Sequence, residues 1–340
     1  MKPIAILNES FNNYLYINYV VSTVCNYKCY YCFPGANDGK YKFPKDITLL
    51  KTNLGHVLKK YRDKLGKTNI RINLAGGEPS LWPLLGEFAE YFYKEFDCRL
   101  TLATNGSRTL RFWQEYAKYF EDICISVHNE AADIEHVKAV MDWIYENTDC
   151  LINGLVLMDH QNWDKCIDIV NDLQSHPVPW LLKVRPLIID DTLVEYTEEQ
   201  NTFIKDKMKK IPPKEWIQKM KDLGRINNEE SGGMQLVMED GSIIKSDTHH
   251  IMENEWYRFA GWKCNLGVDR FQINPAGDID GSCGARNLFN LAEPLSIYAE
   301  DFIEKFNNVE LTELTCRQLA CTCPTEVKIP KYSPKYVQSN

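Results

Sequence analysis

Hydrophobic positions follow two alternating periods along the first two-thirds of the chain. Short runs rich in aromatic and β-branched residues are each followed by a segment in which apolar residues recur at the three- and four-residue spacing of a helix face. The runs that predict strands are 14–23, 70–75, 99–103, 123–127, 151–157 and 180–187. The segments that predict helices are 50–65, 84–92, 110–120, 134–144 and 166–173.

This regular alternation predicts parallel strands joined by right-handed crossovers. A closed barrel would need eight strand–helix units, and the pattern stops at six. The expected fold class is therefore α/β, with a partial (β/α)6 TIM-like barrel. Because ligands of such sheets bind at the C-terminal ends of the strands, the residues that follow each strand are the first candidates for a functional site.

The pattern changes after about residue 190. Two hairpins are predicted there, one around the turn at 239–241 and one leading into the turn at 274–278. We place a domain boundary near residue 225, which gives a barrel domain of residues 1–225 and a small α+β domain of residues 226–340. The tail at 329–335 contains two prolines and is expected to be extended or poorly ordered.

Composition limits the classes of function. The chain has 340 residues, of which 44% are hydrophobic and 25% charged, as in globular proteins. No apolar run approaches the ~20 residues that span a bilayer, so no membrane partner is expected. The net charge of −8 argues against a nucleic acid as partner. Twelve cysteines without a recognisable export signal predict a cytoplasmic protein that uses metal.

Three of these cysteines form a C-x3-C-x2-C loop directly after the first predicted strand: Cys25, Cys29 and Cys32. Three thiolates this close together can hold three irons of a [4Fe–4S] cube and leave the fourth iron open to a small molecule. A zinc site usually shows paired C-x2-C units, and a disulfide framework needs an oxidising compartment. The spacing therefore favours an iron–sulfur cluster.

A glycine-rich motif, Gly76-Gly77-Glu78-Pro79, ends the second predicted strand. Glycines let a ligand approach the backbone closely, and carbonyls together with a carboxylate suit an ammonium group. The alternative interpretation is a tight strand-to-helix turn, with Pro83 near the start of the helix.

The cysteine loop, with an aromatic residue just before its last cysteine, and the GGEP motif about 45 residues later resemble the radical S-adenosylmethionine (radical SAM) superfamily. The resemblance covers roughly residues 14–190. It implies that Cys25, Cys29 and Cys32 hold a [4Fe–4S] cluster whose open iron is chelated by the amino and carboxylate groups of SAM. It also implies reductive cleavage of SAM to a 5′-deoxyadenosyl radical, which takes a hydrogen atom from a peptide or small polar metabolite. A flavodoxin- or ferredoxin-type reductant would supply the electron.

The resemblance also assigns residues to SAM. Gly76, Gly77, Glu78 and Pro79 match the motif that binds the methionine amino group. The remaining candidates for cofactor binding lie in the cysteine loop or on the predicted strands: Tyr31, whose backbone would meet the adenine, Asn105 and Ser126 for ribose and carboxylate, and Asn153 as a weaker case.

Strand periodicity adds two candidates for the catalytic pocket. His128 shares a strand face with Ser126, and Arg185 shares one with Lys183. Arg185 could pair with the SAM carboxylate or with an acidic group of the substrate. The alternative is that these side chains cap strand ends or face solvent, because periodicity does not choose the face.

Five cysteines in the C-terminal part resemble the twitch or SPASM auxiliary-cluster extensions of radical SAM enzymes. They are Cys264, Cys283, Cys316, Cys321 and Cys323. The resemblance implies one auxiliary [4Fe–4S] cluster held by Cys264, Cys283, Cys321 and Cys323, with Cys316 able to replace Cys321. Four thiolates complete such a cluster, so one of the five cysteines is spare. A structural zinc site is the alternative.

The spare cysteine suggests a catalytic role for Cys316, because a thiol near the substrate radical can donate a hydrogen atom, as in the radical SAM peptide epimerases. The auxiliary cluster would accept an electron or bind substrate. An alcohol dehydrogenase or epimerase acting on a metabolite is the second interpretation. A two-cluster electron carrier is a third, against which the GGEP motif argues, because a carrier has no need of an ammonium-binding turn.

Overall fold

The computed structural model describes residues 2–178, 180–189, 192–208, 214–222, 234–281, 288–289, 293–321, 323 and 325–339. The chain divides into two compact units that are discontinuous in sequence. Unit 1 consists of Met1–Tyr19, Asp46–Ile72 and Glu230–Asn340, and unit 2 of Val20–Lys45 and Asn73–Glu229. The domain boundary predicted near residue 225 falls outside the described residues and stays a prediction.

Sixteen strands are assigned in chain order within the described residues. They are β1 (Pro3–Asn8), β2 (Tyr14–Val20), β3 (Asn69–Ala75), β4 (Arg99–Thr104), β5 (Asp122–Val127), β6 (Leu151–Met158), β7 (Leu181–Pro186), β8 (Ile188–Ile189), β9 (Thr192–Leu193), β10 (Met234–Met238), β11 (Ile243–Lys245), β12 (Lys263–Cys264), β13 (Arg270–Ile273), β14 (Ile279–Asp280), β15 (Leu314–Thr315) and β16 (Lys331–Tyr332).

Ten α-helices are assigned in the same described part of the chain. They are α1 (Ile47–Leu65), α2 (Leu85–Phe96), α3 (Leu110–Tyr116), α4 (Ile134–Asn147), α5 (Trp163–Ser175), α6 (Glu198–Met208), α7 (Lys214–Asp222), α8 (Thr248–Glu253), α9 (Phe302–Asn307) and α10 (Pro334–Ser339). None of the helices in the described residues combines the length and apolar character needed to cross a bilayer.

Helix α1 shows how local sequence sets the element ends. The side chain of Asp46 accepts a hydrogen bond from the N–H of Leu49 and so caps the N-terminus. Gly66 adopts the left-handed conformation at the C-terminus, with φ of 66°, where a residue with a Cβ would be strained. The buried face of α1 includes Leu50, Leu54 and Leu58, at the four-residue spacing that predicted the helix.

Unit 2 contains a sheet with the strand order β3-β4-β5-β6-β7. Strands β2 and β3 each begin in unit 1 and end in unit 2. The pairs β4–β5, β5–β6 and β6–β7 are parallel, and a helix follows each of β3 to β6. This order confirms the predicted α/β class with a parallel sheet of consecutive strand–helix units. The C-terminal ends of β3, β4, β5 and β6 therefore lie along one edge.

Unit 1 is built mainly from antiparallel pairs. One sheet has the order β11-β10-β1-β16-β12-β15, and another the order β14-β13-β2-β3. The hairpin β10–β11 turns at 239–241 and the hairpin β13–β14 at 274–278, as predicted. Strand β13 also pairs parallel to β2, with Phe271 opposite Ile17. Strand β1 was not foreseen, and it lies between β10 and β16.

Candidate functional site

The cysteine loop begins a few residues after β2 and belongs to unit 2. The N–H of Cys32 donates to the carbonyl of Cys29 over 3.1 Å, which closes a turn between the two. Cys29 is buried, whereas Cys25 and Cys32 are half-buried. Burial raises the pKa of all three thiols, that of Cys29 to about 11. Because a metal binds thiolates, a bound cation would have to displace these protons.

The donor set has the chemistry that a [4Fe–4S] cluster needs, namely three neighbouring thiols of low exposure in one loop. In the described part of the chain, however, no three His, Cys, Asp or Glu side chains converge closely enough to form a ready-made metal site. The three cysteines are therefore neighbours that a cluster would draw together, and their role as ligands stays a prediction.

The two glycines of the GGEP motif lie against the segment that leads into the cysteine loop. The N–H of Gly77 donates to the carbonyl of Ser22 over 2.9 Å, and the N–H of Glu78 donates to the carbonyl of Val24 over 2.8 Å. A Cβ on Gly76 would lie 2.4 Å from the Ser22 oxygen, and one on Gly77 2.4 Å from the Val24 oxygen. Glycine is thus required here by the neighbouring chain itself. Pro79 is buried and opens a single 3-10 turn.

The carboxylate of Glu78 joins the ends of β3 and β4. Glu78 is only 1% exposed. It accepts hydrogen bonds from the N–H of Ser80 (3.0 Å), the hydroxyl of Thr104 (2.6 Å) and the N–H of Asn105 (2.6 Å). Burial raises the pKa of Glu78, although these hydrogen bonds oppose the rise. An ionised carboxylate has about four acceptor positions, so it can accept several such bonds at once.

Asn105 connects this carboxylate to the cysteine loop. Its side-chain amide donates to Asn26 over 2.9 Å and lies 4.0 Å from the sulfur of Cys25. Its own oxygen accepts from the N–H of Ser107 over 3.0 Å. Glu78, Asn105 and Cys25 are therefore brought together at one end of the sheet, as their positions after successive strands predicted.

Tyr31 and His128 also come together. The Tyr31 ring is 5% exposed and stacks on the His128 imidazole, with 5.9 Å between ring centroids. Its hydroxyl lies 3.1 Å from Nδ1 of His128 and donates to Asn129 over 3.3 Å. Burial lowers the pKa of His128 to about 4, so the imidazole is neutral near pH 7. Tyr31 also packs with Cys29 and Leu187.

The remaining barrel candidates are Ser126, Asn153 and Arg185, which lie on β5, β6 and β7. Ser126 is half-buried on β5, opposite Leu155 of β6. Asn153 lies near the start of β6, where it donates to Asp122 over 2.8 Å and accepts from Lys183 over 2.7 Å. Arg185 is exposed on β7. Asn153 therefore lies far from the C-terminal end of β6, where ligands of such sheets bind. Its hydrogen bonds go to Asp122 and Lys183 instead.

Sequence reasoning missed three polar side chains at the same edge: Tyr30, Asn129 and Asp159. The hydroxyl of Tyr30 donates to Asp159 over 2.5 Å, and the amide of Asn129 donates to the other oxygen over 3.1 Å. Asp159 directly follows β6, so its place in the chain carried the same signal that identified Glu78 and Asn105.

The C-terminal cysteines lie in unit 1. Cys264 on β12 and Cys321 are buried, and Cys316 and Cys323 are half-buried. Cys283 lies outside the described residues. Burial raises the pKa of the Cys264 and Cys321 thiols, that of Cys321 to about 12.

Cys316 packs against a hydrophobic cluster that includes Cys321. Its N–H donates to the carbonyl of Trp262 over 2.8 Å, which extends the pairing of β15 with β12. Burial is the main cause of the raised pKa of Cys321, and the negative charges of ionised Cys264 and Cys316 would each add to it.

The family comparison covers the residues that form this candidate site. The model of the radical SAM superfamily matches residues 19–173. A curated relative from Thermoplasmatales archaeon (strain ISO4-H5), named S-adenosylmethionine-dependent nucleotide dehydratase, is 35% identical over 89 residues. That match spans 26% of this chain and only 28% of the relative's length.

Two solved structures are similar over most of the chain, at low sequence identity. BtrN in complex with AdoMet and 2-DOIA is 13% identical, with 88% of each chain covered and a TM-score of 0.38. Native anSMEcpe with bound AdoMet is 13% identical, with 87% of this chain and 82% of that chain covered and a TM-score of 0.48. The assignment rests on the family match, which contains the cysteine loop, the GGEP motif and Asn105. Residues 19–173 of this protein therefore match the radical SAM superfamily model.

Proposed function

We propose that this protein is a radical SAM enzyme. Cys25, Cys29 and Cys32 would hold a [4Fe–4S] cluster that binds SAM. When bound, the cluster and SAM together supply a 5′-deoxyadenosyl radical, which takes a hydrogen atom from a peptide or small polar metabolite. The observation that carries this proposal is the hydrogen-bonded chain from Glu78 through Asn105 to Asn26 and Cys25, which fixes an anionic, buried group beside the thiols.

The protein's own groups have distinct tasks in this proposal. Glu78 holds the ends of β3 and β4 together and would accept from the ammonium group of SAM. Gly76 and Gly77 bring their backbone next to the cysteine loop. Tyr31 and the neutral His128 form an aromatic wall without charge, which excludes water beside Cys29.

An auxiliary [4Fe–4S] cluster in unit 1 is the second part of the proposal. Cys264, Cys283, Cys321 and Cys323 would be its ligands, with Cys316 able to replace Cys321. The support is that Cys316 packs against the cluster that contains Cys321 and is bonded to Trp262, next to β12, which carries Cys264. Such a cluster would accept an electron from the product radical or bind substrate. A flavodoxin- or ferredoxin-type protein would reduce the SAM-binding cluster.

The name of the curated relative suggests nucleotides as the first group of polar metabolites to assay. The shared 89 residues support this choice only in part, because they cover about a quarter of either chain. Alcohols and sugars would follow, since a dehydrogenase or epimerase acting on a metabolite uses the same hydrogen abstraction.

Anaerobic reconstitution tests the proposal. Iron and sulfide content, SAM binding by calorimetry and dithionite-dependent release of 5′-deoxyadenosine would be measured for the wild type and for the triple variant Cys25→Ala/Cys29→Ala/Cys32→Ala. We expect the variant to lose SAM binding and 5′-deoxyadenosine but to keep roughly half the iron, because each [4Fe–4S] cluster holds about four irons.

Cys150→Ala is the matched control, since this buried cysteine lies at the start of β6, away from both cysteine groups in sequence. Intact iron without any heat of SAM binding in the wild type would favour the electron carrier. Loss of all iron in the triple variant would exclude the auxiliary cluster.

A further inference from the structure

Asp159 is a buried carboxylate that the proposed function does not use. It follows β6 directly and has no exposed surface. Four groups donate to it: the hydroxyl of Tyr30 (2.5 Å), the amides of Asn162 (2.8 Å) and Asn129 (3.1 Å), and the N–H of Gln161 (3.0 Å). A buried carboxylate is tolerated when donors surround it in this way. The charge is therefore stable, and it is held at a fixed place.

Only one of these four donors, Tyr30, comes from the cysteine loop. Tyr30 lies directly after Cys29 and two residues before Cys32. Its ring is 42% exposed, in contrast to the neighbouring Tyr31 ring, which is 5% exposed. The Tyr30 ring meets the Tyr31 ring edge to face, with 5.1 Å between centroids, and its hydroxyl bonds to the buried carboxylate of Asp159.

The same edge of the sheet also holds the second tyrosine of the loop. Asn129, which follows β5, donates to Asp159 and accepts from the hydroxyl of Tyr31 over 3.3 Å. Tyr30 is thus bonded to Asp159 and Tyr31 to Asn129. Asp159 and Asn129 are bonded to each other and follow β6 and β5. Glu78 and Asn105 attach the loop from the β3 and β4 side, through Asn26.

We propose that Asp159 is a positioning residue for the cysteine loop: through Tyr30 it fixes Cys29 and Cys32 against the ends of β5 and β6. The proposal rests on the proposed function in so far as these cysteines hold the cluster. Asp159 should restrain the cysteine loop in the metal-free protein as well.

Two readouts on Tyr30→Phe, Asp159→Asn and the double variant test this inference. The first is the rate at which iodoacetamide alkylates Cys29 and Cys32 in the metal-free protein, mapped by mass spectrometry. The second is the rate at which a chelator removes iron from the reconstituted protein. Tyr93→Phe, which changes a 47% exposed tyrosine on α2, is the matched control.

We expect Tyr30→Phe to raise both rates about tenfold, which corresponds to about 1.4 kcal/mol. Asp159→Asn should do the same, and the double variant should match the larger single effect, because both changes break one link. Tyr30→Phe should leave the thermal unfolding temperature close to that of the wild type, since it removes one hydroxyl from a partly exposed side chain.

The proposal is overturned if Tyr30→Phe reacts at the wild-type rate, or if the two single effects multiply in the double variant. Failure of the protein to bind iron would refute the proposed function, but the alkylation rates of the metal-free protein could still be measured. In that case faster alkylation in Tyr30→Phe would still support Asp159 as the anchor of the loop, and an unchanged rate would refute it.

Discussion

The backbone N–H of Asn105 donates to the carboxylate of Glu78 over 2.6 Å, and this bond connects two strand ends that are 27 residues apart in the chain. The side chain of the same Asn105 reaches Asn26 of the cysteine loop. One buried carboxylate thus organises three segments, which are the GGEP turn, the start of the loop after β4 and the cysteine loop. A change at Glu78 should affect all three.

Replacement of Glu78 with Gln is expected to lower the free energy of unfolding by about 1–3 kcal/mol and to weaken SAM binding at least tenfold. Gln presents one NH2 group to a position where only donors face it, so at least one buried donor loses its acceptor. Urea unfolding and calorimetry measure the two effects. Glu95→Gln, on the exposed side of α2, is the control and should change neither. Wild-type SAM affinity in the Glu78 variant would contradict a role for the carboxylate.

Replacement of Gly77 with Ala tests the close approach of the GGEP turn to the cysteine loop. The new Cβ would lie 2.4 Å from the carbonyl oxygen of Val24, so the two segments must separate. We expect a loss of about 1–3 kcal/mol in the free energy of unfolding, together with loss of iron binding. Gly241→Ala is the control, because a Cβ there meets nothing within 4 Å and only its φ of 82° is strained. Equal iron content in both variants would contradict the expectation.

The strand and helix patterns predict β2 to β7 closely, because each of these strands extends over six or more residues. The motifs at their ends follow from the same reasoning, since parallel strands place their C-terminal ends together. Asp159 could have been found by this rule, because it directly follows β6. It was missed because it does not belong to a recognised sequence motif.

Unit 1 was less predictable, for a physical reason. Strands β12, β15 and β16 contain two residues each, which is too short for any period to show, and they pair with segments far away in the chain. The tail is extended at Lys331 and Tyr332, as expected, but it is buried rather than loosely held. A lysine in a proline-containing tail gives no indication of burial, because its burial depends on acceptors that only the folded chain supplies.

His128 is expected to make stability depend on pH in the acid range. Its pKa in the folded protein is about 4, against about 6.5 in an unfolded chain. Between these values the unfolded state binds more protons, so the free energy of unfolding falls as the pH is lowered from about 6.5 to about 4, by up to about 3 kcal/mol. In His128→Gln this contribution should be absent. Urea titrations at several pH values measure it, and parallel curves for wild type and variant would contradict the buried neutral imidazole.

Lys331 is expected to contribute more to the stability of unit 1 than an exposed lysine of the same unit does. It is 1% exposed, and its ammonium group donates to the carbonyls of Glu326 (2.5 Å) and Ile329 (2.9 Å). Lys331→Met keeps the volume but leaves the Ile329 carbonyl without this donor, whereas the Glu326 carbonyl keeps the N–H of Ile329 at 3.1 Å. We therefore expect a loss of about 1–3 kcal/mol in urea unfolding. Lys335→Met removes an exposed lysine that pairs with Glu239 over 3.1 Å, and it should cost less than about 1 kcal/mol. Equal losses in the two variants would show that the buried ammonium group contributes no more than the exposed one.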